Sequence, residues 1–250
     1  MNLALIKSFA PIDLKGIKKA ELMNRIDRKF VVPQHMISDI LAEVIEHYLI
    51  LEIDGKWMMN YLSVYFDTPG NEFYLAHHNG KLNRYKVRKR MYLDTGTCFL
   101  EIKFKNNKGK TQKSRILTTN DLFGFNESDL AFLKKDLPVD PVMLQPKISN
   151  QFLRITLVKK DMNERCTIDV HLNFIYNGLD TSMENLAIIE VKQEANSAKS
   201  PLVEILNQKH IHSMGFSKYC IGRVLTDNDN QLKYNTFKPK IRKIEKTIQV

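Results

Sequence analysis

Basic side chains recur at every second residue in two neighbouring segments of the chain. In residues 83–92 the alternating cations are Arg84, Lys86, Arg88 and Arg90. In residues 97–105 the alternating charged residues are Glu101, Lys103 and Lys105. Arg grips phosphate oxygens in pairs and Lys acts as a point charge, so rows of these residues indicate phosphate chemistry.

The same alternation places these charges on strands. Successive side chains of a β-strand point to opposite faces, and the residues between the charged ones are mostly apolar. We predict eight strands, at 25–32, 60–67, 83–92, 97–105, 111–117, 151–158, 165–172 and 187–194. Their charged faces also carry Lys29, Lys113, Arg115, Arg154, Arg165, Asp169, Glu190 and Lys192. One amphipathic strand needs only a core on one side and water on the other, but eight with the same bias call for a shared basic surface.

Three architectures fit this pattern: an open sheet with a basic face for nucleic acid, a membrane barrel, and a soluble barrel with a polar lumen. About eight strands enclose just enough space for side chains or one small ligand. A lumen crowded with cations repels itself unless an anion or paired carboxylates fill it. We therefore expect an α+β fold, a closed antiparallel β-barrel (tunnel) of about eight strands with helices packed outside, and a polyanionic ligand.

The remaining segments predict helices and a tail. Helices are expected at 13–24, 35–47, 127–136 and 218–226, with another beginning at Ser200-Pro201. His77-His78 is expected in a loop, and the tail that begins at Lys238 is expected to be disordered. We predict one tunnel-fold catalytic domain over residues 1–225 and a basic C-terminal tail over 226–250.

Composition agrees with an anionic partner. Lys and Arg number 38 against 28 Asp and Glu, a net charge of +10, which favours nucleic acid, a membrane surface or a phosphate compound. Three widely spaced cysteines indicate free thiols in a reducing compartment. We find neither a signal peptide nor an apolar run of transmembrane length, so we expect a cytoplasmic location.

An ordered series of motifs resembles the catalytic domain of the vacuolar transporter chaperone (VTC), the polyphosphate-polymerase branch of the triphosphate tunnel metalloenzymes (CYTH-like superfamily). The motifs are Arg25-Ile-Asp-Arg-Lys29-Phe, Tyr65-Phe-Asp-Thr68, Lys86-Val-Arg88-Lys-Arg90-Met-Tyr92, Glu101-Ile-Lys103-Phe-Lys105, Lys113-Ser-Arg115, Arg165-Cys-Thr-Ile-Asp169, Ile189-Glu190-Val-Lys192 and Ser217-Lys218-Tyr219-Cys220. The resemblance runs from about residue 20 to 225. It departs from the family at Phe152, where many members have a tyrosine.

The resemblance implies an enzyme, an ATP-polyphosphate phosphotransferase. It would transfer the γ-phosphoryl group of ATP to a growing polyphosphate chain with a divalent metal, Mn²⁺ or Mg²⁺. The catalytic phosphate contacts it implies are Lys29, Arg88, Arg90, Lys103, Lys113 and Arg154. We expect further substrate phosphate contacts from Lys86, Lys105, Arg115, Arg165, Lys192, Ser217 and Lys218. Glu190 matches the metal-binding glutamate, and Glu101 is a second candidate ligand.

Alternatives remain at this point. The same tunnel could hydrolyse tripolyphosphate or a nucleoside triphosphate, or the chain could be a non-catalytic polyanion-binding module. Glu101 could pair with Lys103 or Arg88, and Asp169 with Arg165. Asp27 could be a second metal ligand or the salt-bridge partner of Arg25, while Ser217 could simply cap a helix. We expect ATP and polyphosphate as partners and no nucleic acid. Export of a polymer would need a separate membrane partner.

Overall fold

Alternating apolar residues build one large sheet in the computed structural model, which describes residues 3–20, 25–227 and 231–249. Its strands are β1 (Ala10–Ile12), β2 (Arg25–Pro33), β3 (Tyr48–Leu51), β4 (Met59–Asp67), β5 (Arg84–Tyr92), β6 (Thr97–Lys105), β7 (Thr111–Thr118), β8 (Gln145–Lys159), β9 (Glu164–Tyr176), β10 (Leu179–Met183) and β11 (Leu186–Glu194). All eight predicted strands are present, and the prediction of an α+β fold with a large antiparallel sheet is confirmed.

The main path of the sheet follows the order β2-β11-β9-β8-β4-β5-β6-β7, and every neighbouring pair in it is antiparallel. Three strands lie off this path: β10 pairs with β9, β3 pairs with β8, and β1 pairs with β3 in parallel. These three were not predicted.

Hydrogen bonds do not close the sheet. β2 and β7 end the strand order, and no ladder joins them within the described ranges, so hydrogen bonding does not produce the closed barrel that we predicted. The free edge of β2 is already occupied by the segment 213–216. The backbone N–H of Met214 donates to the Lys29 carbonyl at 2.7 Å, and Lys29 Nζ donates to the Phe216 carbonyl at 3.1 Å.

Helices cover one face of the sheet, which we call the outer face. Other helices pack on part of the opposite face. The helices are α1 (Leu3–Lys7), α2 (Leu14–Ile17), α3 (Ile37–Val44), α4 (Glu72–His78), α5 (Glu127–Asp136), α6 (Pro201–Gln208), α7 (Lys218–Leu225) and α8 (Lys238–Ile248). Short 3₁₀ turns lie at Gln34–Met36, Ile45–His47, Pro141–Met143 and Asn235–Phe237. None of the described helices is both long enough and apolar enough to span a bilayer.

α3, α5 and α6 lie on the outer face of the sheet, as predicted. Apolar residues of α3 and α6 share a cluster with Ile155, Ile168 and Ile189, and α5 buries Leu133 beside Val87 and Leu100.

α7 and α8 instead pack on the opposite face, against residues that share it with the predicted site. Tyr219 and Ile244 share a cluster with Ile148, Phe174 and Ile188. Gly222 allows this close approach, because a Cβ there would lie 2.4 Å from the Phe174 ring. The expectation that all helices pack outside is therefore wrong for these two.

Three local predictions also need correction. Only Leu14–Ile17 of the predicted helix at 13–24 is helical, and residues 21–24 lie outside the described residues. His77 and His78 belong to α4 rather than to a loop. The tail contains α8, because Ile241 and Ile244 recur at helical spacing and are buried.

Lys89 fixes the orientation of the most basic strand. Its side chain is fully buried on the outer face, where Nζ contacts Asp129 Oδ2 at 2.7 Å and donates to the Asp121 carbonyl at 2.9 Å. Asp129 is itself held by the capping box of α5. Since neighbouring side chains alternate, this anchor directs Arg88 and Arg90 to the other face.

Candidate active site

Cross-strand register brings the predicted charged residues together on one side of the sheet, which we call the site face. Tyr65 pairs with Arg88, Arg88 with Glu101, and Glu101 with Arg115 across β4, β5, β6 and β7. Residues directly opposite on one face lie close enough to interact. The site face is therefore a continuous charged surface.

The site face is curled. Lys29 of β2 and Lys86 of β5 are far apart in the strand order, yet they donate to the adjacent residues Phe216 and Ser217 at 3.1 and 2.9 Å. Lys103 of β6 also lies near Lys29. Burial and the nearby cation Lys29 lower the pKa of Lys103. Strands far apart in the order therefore face one another, although no ladder joins the two sheet edges.

Glu101 is held by two cations. Its Oε2 accepts from Arg88 Nε at 2.5 Å, and its Oε1 contacts Lys113 Nζ. Burial alone would raise the pKa of Glu101, but Arg88, Arg90 and Lys113 outweigh burial and lower that pKa to about 2. The carboxylate is thus ionised at neutral pH. Of the two partners considered for it, Arg88 makes the contact.

Asp169 is the second buried anion of the site face. Arg154 donates to it through Nε at 2.6 Å and Nη2 at 2.8 Å, and Lys218 Nζ also contacts it. Burial opposes ionisation, but these two cations hold the pKa of Asp169 well below its usual range. The prediction that Asp169 pairs with Arg165 is therefore wrong. Arg154 lies directly opposite Asp169 in the register.

A stacked aromatic pair lies beside two guanidinium groups. The rings of Tyr61 and Phe152 stack with centroids 5.3 Å apart. Arg90 and Arg154 each lie 5.2 to 5.7 Å from these ring centroids, and Lys218 Nζ lies 4.4 Å from that of Phe152. Aromatic faces attract cations, so Phe152 acts here as an apolar support for the charged groups.

Glu190 is the least constrained carboxylate of the site. Its oxygens lie 4.0 Å from Lys29 Nζ and 3.5 Å from Lys192 Nζ. Burial raises its pKa, but the two lysines and Arg154 outweigh burial and lower the pKa. Burial also lowers the pKa of Lys192 to about 8. Glu190 is therefore an ionised acceptor with only loose contacts.

Ser217 lies at the start of α7, at the end of the site face that this helix covers. Its hydroxyl accepts from the Cys220 N–H at 3.3 Å, so it caps α7. It also accepts from Lys86 Nζ at 2.9 Å. Burial, with Lys29 and Lys103 nearby, lowers the pKa of Lys86 to about 8. Ser217 is thus both a helix cap and a site contact.

Three predicted cations lie at the margins. Lys105 pairs with Arg84 and with Thr111 at the end of β6. Arg165 lies beside Lys192, and burial and cations nearby lower its pKa. Arg115 is exposed, with its guanidinium 4.5 Å from the Phe99 ring centroid.

The pairing alternative for Asp27 is the one observed. Its carboxylate accepts from Arg25 Nε at 3.1 Å, on an exposed part of β2.

Sequence reasoning missed the contribution of β4. Tyr65 lies on the site face 3.4 Å from Arg88 Nη1, and Ser63 accepts from Arg90 Nε at 3.1 Å. Burial alone would raise the pKa of Tyr65, but Arg88, Arg90 and Lys218 lower it to about 8. The alternation of Tyr61, Ser63 and Tyr65 with apolar residues was the available signal.

The contacts of Glu190 and Glu101 decide which of these carboxylates is suited to bind a metal. Mg²⁺ is commonly bound by one or two carboxylates together with substrate phosphates. Glu190 fits this arrangement, whereas both oxygens of Glu101 are already engaged by cations. Among the residues that the structure describes, His, Cys, Asp and Glu form no group of three or more that could hold a metal.

Comparisons with known proteins identify one matching family. Residues 24–226 match the family model of the VTC domain. No curated protein matches the chain.

Several solved structures resemble the chain at low identity. A proposed adenylate cyclase from Vibrio parahaemolyticus is 13% identical with a TM-score of 0.48, over 79% of this chain and 97% of that one. A proposed adenylyl cyclase from Hippeastrum, described as having a dominant triphosphatase activity, is 16% identical with a TM-score of 0.48, over 80% and 95%. The PH1819 protein from Pyrococcus horikoshii is 12% identical with a TM-score of 0.45, over 80% and 98%.

Proposed function

The chain belongs to the VTC domain family, and from that premise we propose that it is a metal-dependent polyphosphate polymerase. Family membership supports an activity on polyphosphate or triphosphate substrates. The finer proposal is that the protein transfers the γ-phosphoryl group of ATP to a growing polyphosphate chain.

One observation carries this proposal: three guanidinium groups face the same space and each is held by its own partner. Arg88 is fixed by Glu101, Arg90 by Ser63, and Arg154 by Asp169. Phosphoryl transfer needs positioning and charge stabilisation more than covalent participation by the protein. Donors held in place before the substrate arrives need little reorganisation during the reaction.

The lysines extend this set of donors along the site face. Lys29, Lys86 and Lys103 lie towards α7, and their mutual repulsion favours binding of a polyanion among them. Lys113 and Lys218 neutralise the buried carboxylates and remain at the surface of the site. A polyanion bound across the curled face would also draw the cations near β2 and β7 together, which we propose completes the tunnel.

A divalent metal, Mn²⁺ or Mg²⁺, would be held by Glu190 together with phosphate oxygens and would neutralise part of their charge. The terminal phosphate of the acceptor chain is already ionised at neutral pH. No serine, histidine or cysteine nucleophile is therefore needed, and the chain's own contribution is to bind and align the two phosphate chains.

Tyr65 supports a second candidate reaction, hydrolysis of tripolyphosphate or a nucleoside triphosphate. With a pKa of about 8 beside Arg88, part of Tyr65 is phenolate near neutral pH, and the phenolate oxygen can accept the proton of an attacking water. Polymerisation and hydrolysis use the same phosphate contacts and differ in the acceptor.

The test is to incubate the purified protein with ATP and Mn²⁺ and to analyse the products. We expect long-chain polyphosphate on a gel, whereas orthophosphate without polymer would support hydrolysis. Glu190→Gln should abolish turnover and retain binding of inorganic tripolyphosphate. The control Glu204→Gln alters an exposed glutamate 3.9 Å from Lys199 and should remain active. ATP binding without either product would refute an enzymatic role.

A further inference from the structure

One end of the site face is apolar rather than cationic. Beyond Arg88 and Arg90, β5 contributes Tyr92, and Phe99 of β6 pairs with Leu117 of β7. The Tyr92 and Phe99 rings lie 5.8 Å apart in an edge-to-face arrangement. The apolar end lies at the opposite end of β5 from Lys86, which contacts Ser217 at the start of α7.

Tyr92 packs against a buried apolar cluster, with its ring centroid 4.8 Å from that of Tyr61. Leu117 and Phe99, in contrast, are not part of a packed core. Leu117 is 67% exposed, and Phe99 is only partly buried. Neither belongs to the apolar clusters formed by the described residues. Their strand neighbours Cys98 and Ile116 fill the core on the outer face instead. Leu117 and Phe99 thus form a small accessible apolar surface beside the charged residues of the site face.

The position of this patch relative to the cations matches one class of ligand. Tyr92 lies four residues beyond Arg88, roughly 14 Å along the strand. The other end of the same strands carries Arg84 and Lys105. A molecule with phosphate groups at one end and a flat apolar group at the other would thus bind in one direction.

We propose that Phe99, Leu117 and Tyr92, with Arg115, form a stacking platform for the nucleobase of the phosphoryl donor. The proposal rests on the proposed function, in which a nucleoside triphosphate is that donor. Bases stack on aromatic rings and on guanidinium planes, and the Arg115 guanidinium already lies 4.5 Å from the Phe99 ring centroid. The triphosphate then extends inwards past Arg90 and Arg88 towards Lys86 and Lys103.

The platform contacts the flat face of a base through the Phe99 ring and the Arg115 guanidinium. Stacking is tolerant of base identity because every base has a π-face. We therefore expect ATP and GTP to bind within a few-fold of each other. Inorganic tripolyphosphate, which lacks a base, should gain nothing from the platform.

The test compares the binding of two probes to the full chain by calorimetry with Mn²⁺ present. The probes are a non-hydrolysable ATP analogue and inorganic tripolyphosphate. Phe99→Ala should weaken the ATP analogue by roughly tenfold, the scale of one stacked base, and leave tripolyphosphate unchanged. Phe99→Trp should restore the affinity. Phe123→Ala, which alters a 59% exposed phenylalanine outside the site face, is the matched control.

Leu117→Ser provides a second variant that is safe for folding, since Leu117 is already exposed. It should weaken the ATP analogue selectively as well. Equal losses for both probes, or no loss for either, would overturn the platform. Failure of the wild-type protein to bind either probe would overturn the platform and the proposed function together. If tripolyphosphate binds normally but Phe99→Ala does not weaken the ATP analogue, only the platform is overturned.

Discussion

Asp169→Asn tests whether the site face is held together by a carboxylate that a phosphate can replace. The substitution keeps the shape of the side chain and removes its charge. Arg154 and Lys218, which both contact Asp169, would then face each other without a common anion. We expect a less stable protein whose stability depends strongly on bound polyanion.

The magnitude follows from the burial of the group. Removing one partner of a buried ion pair costs about 3–5 kcal/mol, because a charge remains buried without compensation. The Arg154 and Lys218 side chains keep 14% and 12% of their surface exposed, so water can hydrate them in part. We therefore expect the free energy of unfolding to fall by about 3 kcal/mol, the lower end of that range.

The assay is urea unfolding of both proteins with and without inorganic tripolyphosphate. A ligand that binds only the folded state stabilises it by mass action. Tripolyphosphate returns negative charge to the two cations, so it should stabilise Asp169→Asn more than the wild type. Asp161→Asn is the control, because Asp161 pairs with Lys159 at an exposed position and should change stability by less than about 1 kcal/mol.

The pH dependence provides a second readout. The pKa of Asp169 is lowered in the folded state, so its contribution to stability is present above the unfolded value of about 3.9. That contribution is lost as the pH falls towards the folded pKa. Asp169→Asn should therefore lose less stability on acidification than the wild type. Equal stability of the two proteins, with equal stabilisation by tripolyphosphate, would refute the reasoning.

Three further substitutions probe other contacts. Asp129→Asn leaves Lys89 buried without its anion and should lower the free energy of unfolding by about 3–5 kcal/mol in urea unfolding. Tyr65→Phe removes a phenol that ionises near pH 8, so the fall in tripolyphosphate affinity from pH 7 to 9, measured by calorimetry, should become shallower. Gly222→Ala places a Cβ 2.4 Å from the Phe174 ring. It should destabilise by about 1–3 kcal/mol and weaken tripolyphosphate binding by displacing α7.

Each of these has a distinct contrary outcome. A fully stable Asp129→Asn would mean that Lys89 is not a buried anchor. An unchanged pH profile in Tyr65→Phe would assign that titration to Lys86 and Lys192 alone, whose pKa values are also lowered to about 8. A Gly222→Ala protein with full affinity would show that α7 can shift without moving Lys218.

The strands were predictable because alternation of charged and apolar residues is a strong signal over eight or nine residues. β3 (Tyr48–Leu51) was missed because four residues directly after a helical segment give too little alternation. α8 was missed for another reason. Its run of lysines masked the spacing of Ile241 and Ile244, which only burial against the sheet explains.

The membership of the site face was predictable, but its pairings were not. Alternation places Arg154, Arg165 and Asp169 on one face, yet only the register shows that Arg154 lies opposite Asp169. The sequence also did not predict that the edge of β2 is left without a partner strand. The segment 213–216, which occupies this edge, is remote from β2 in the chain. Long-range contacts of this kind depend on the assembled fold.

The pairing of β2 with β11 has a consequence for how the protein forms. Lys29 lies opposite Glu190 in that pair, so the proposed metal ligand reaches its cationic neighbour only after most of the chain is available. Non-local strand pairing must offset a large loop-closure entropy and is slow. During synthesis, the nascent chain would display β5 and β6 with their basic residues before β11 supplies its carboxylate. The complete set of site charges is therefore assembled only late in folding, after β11 has paired with β2.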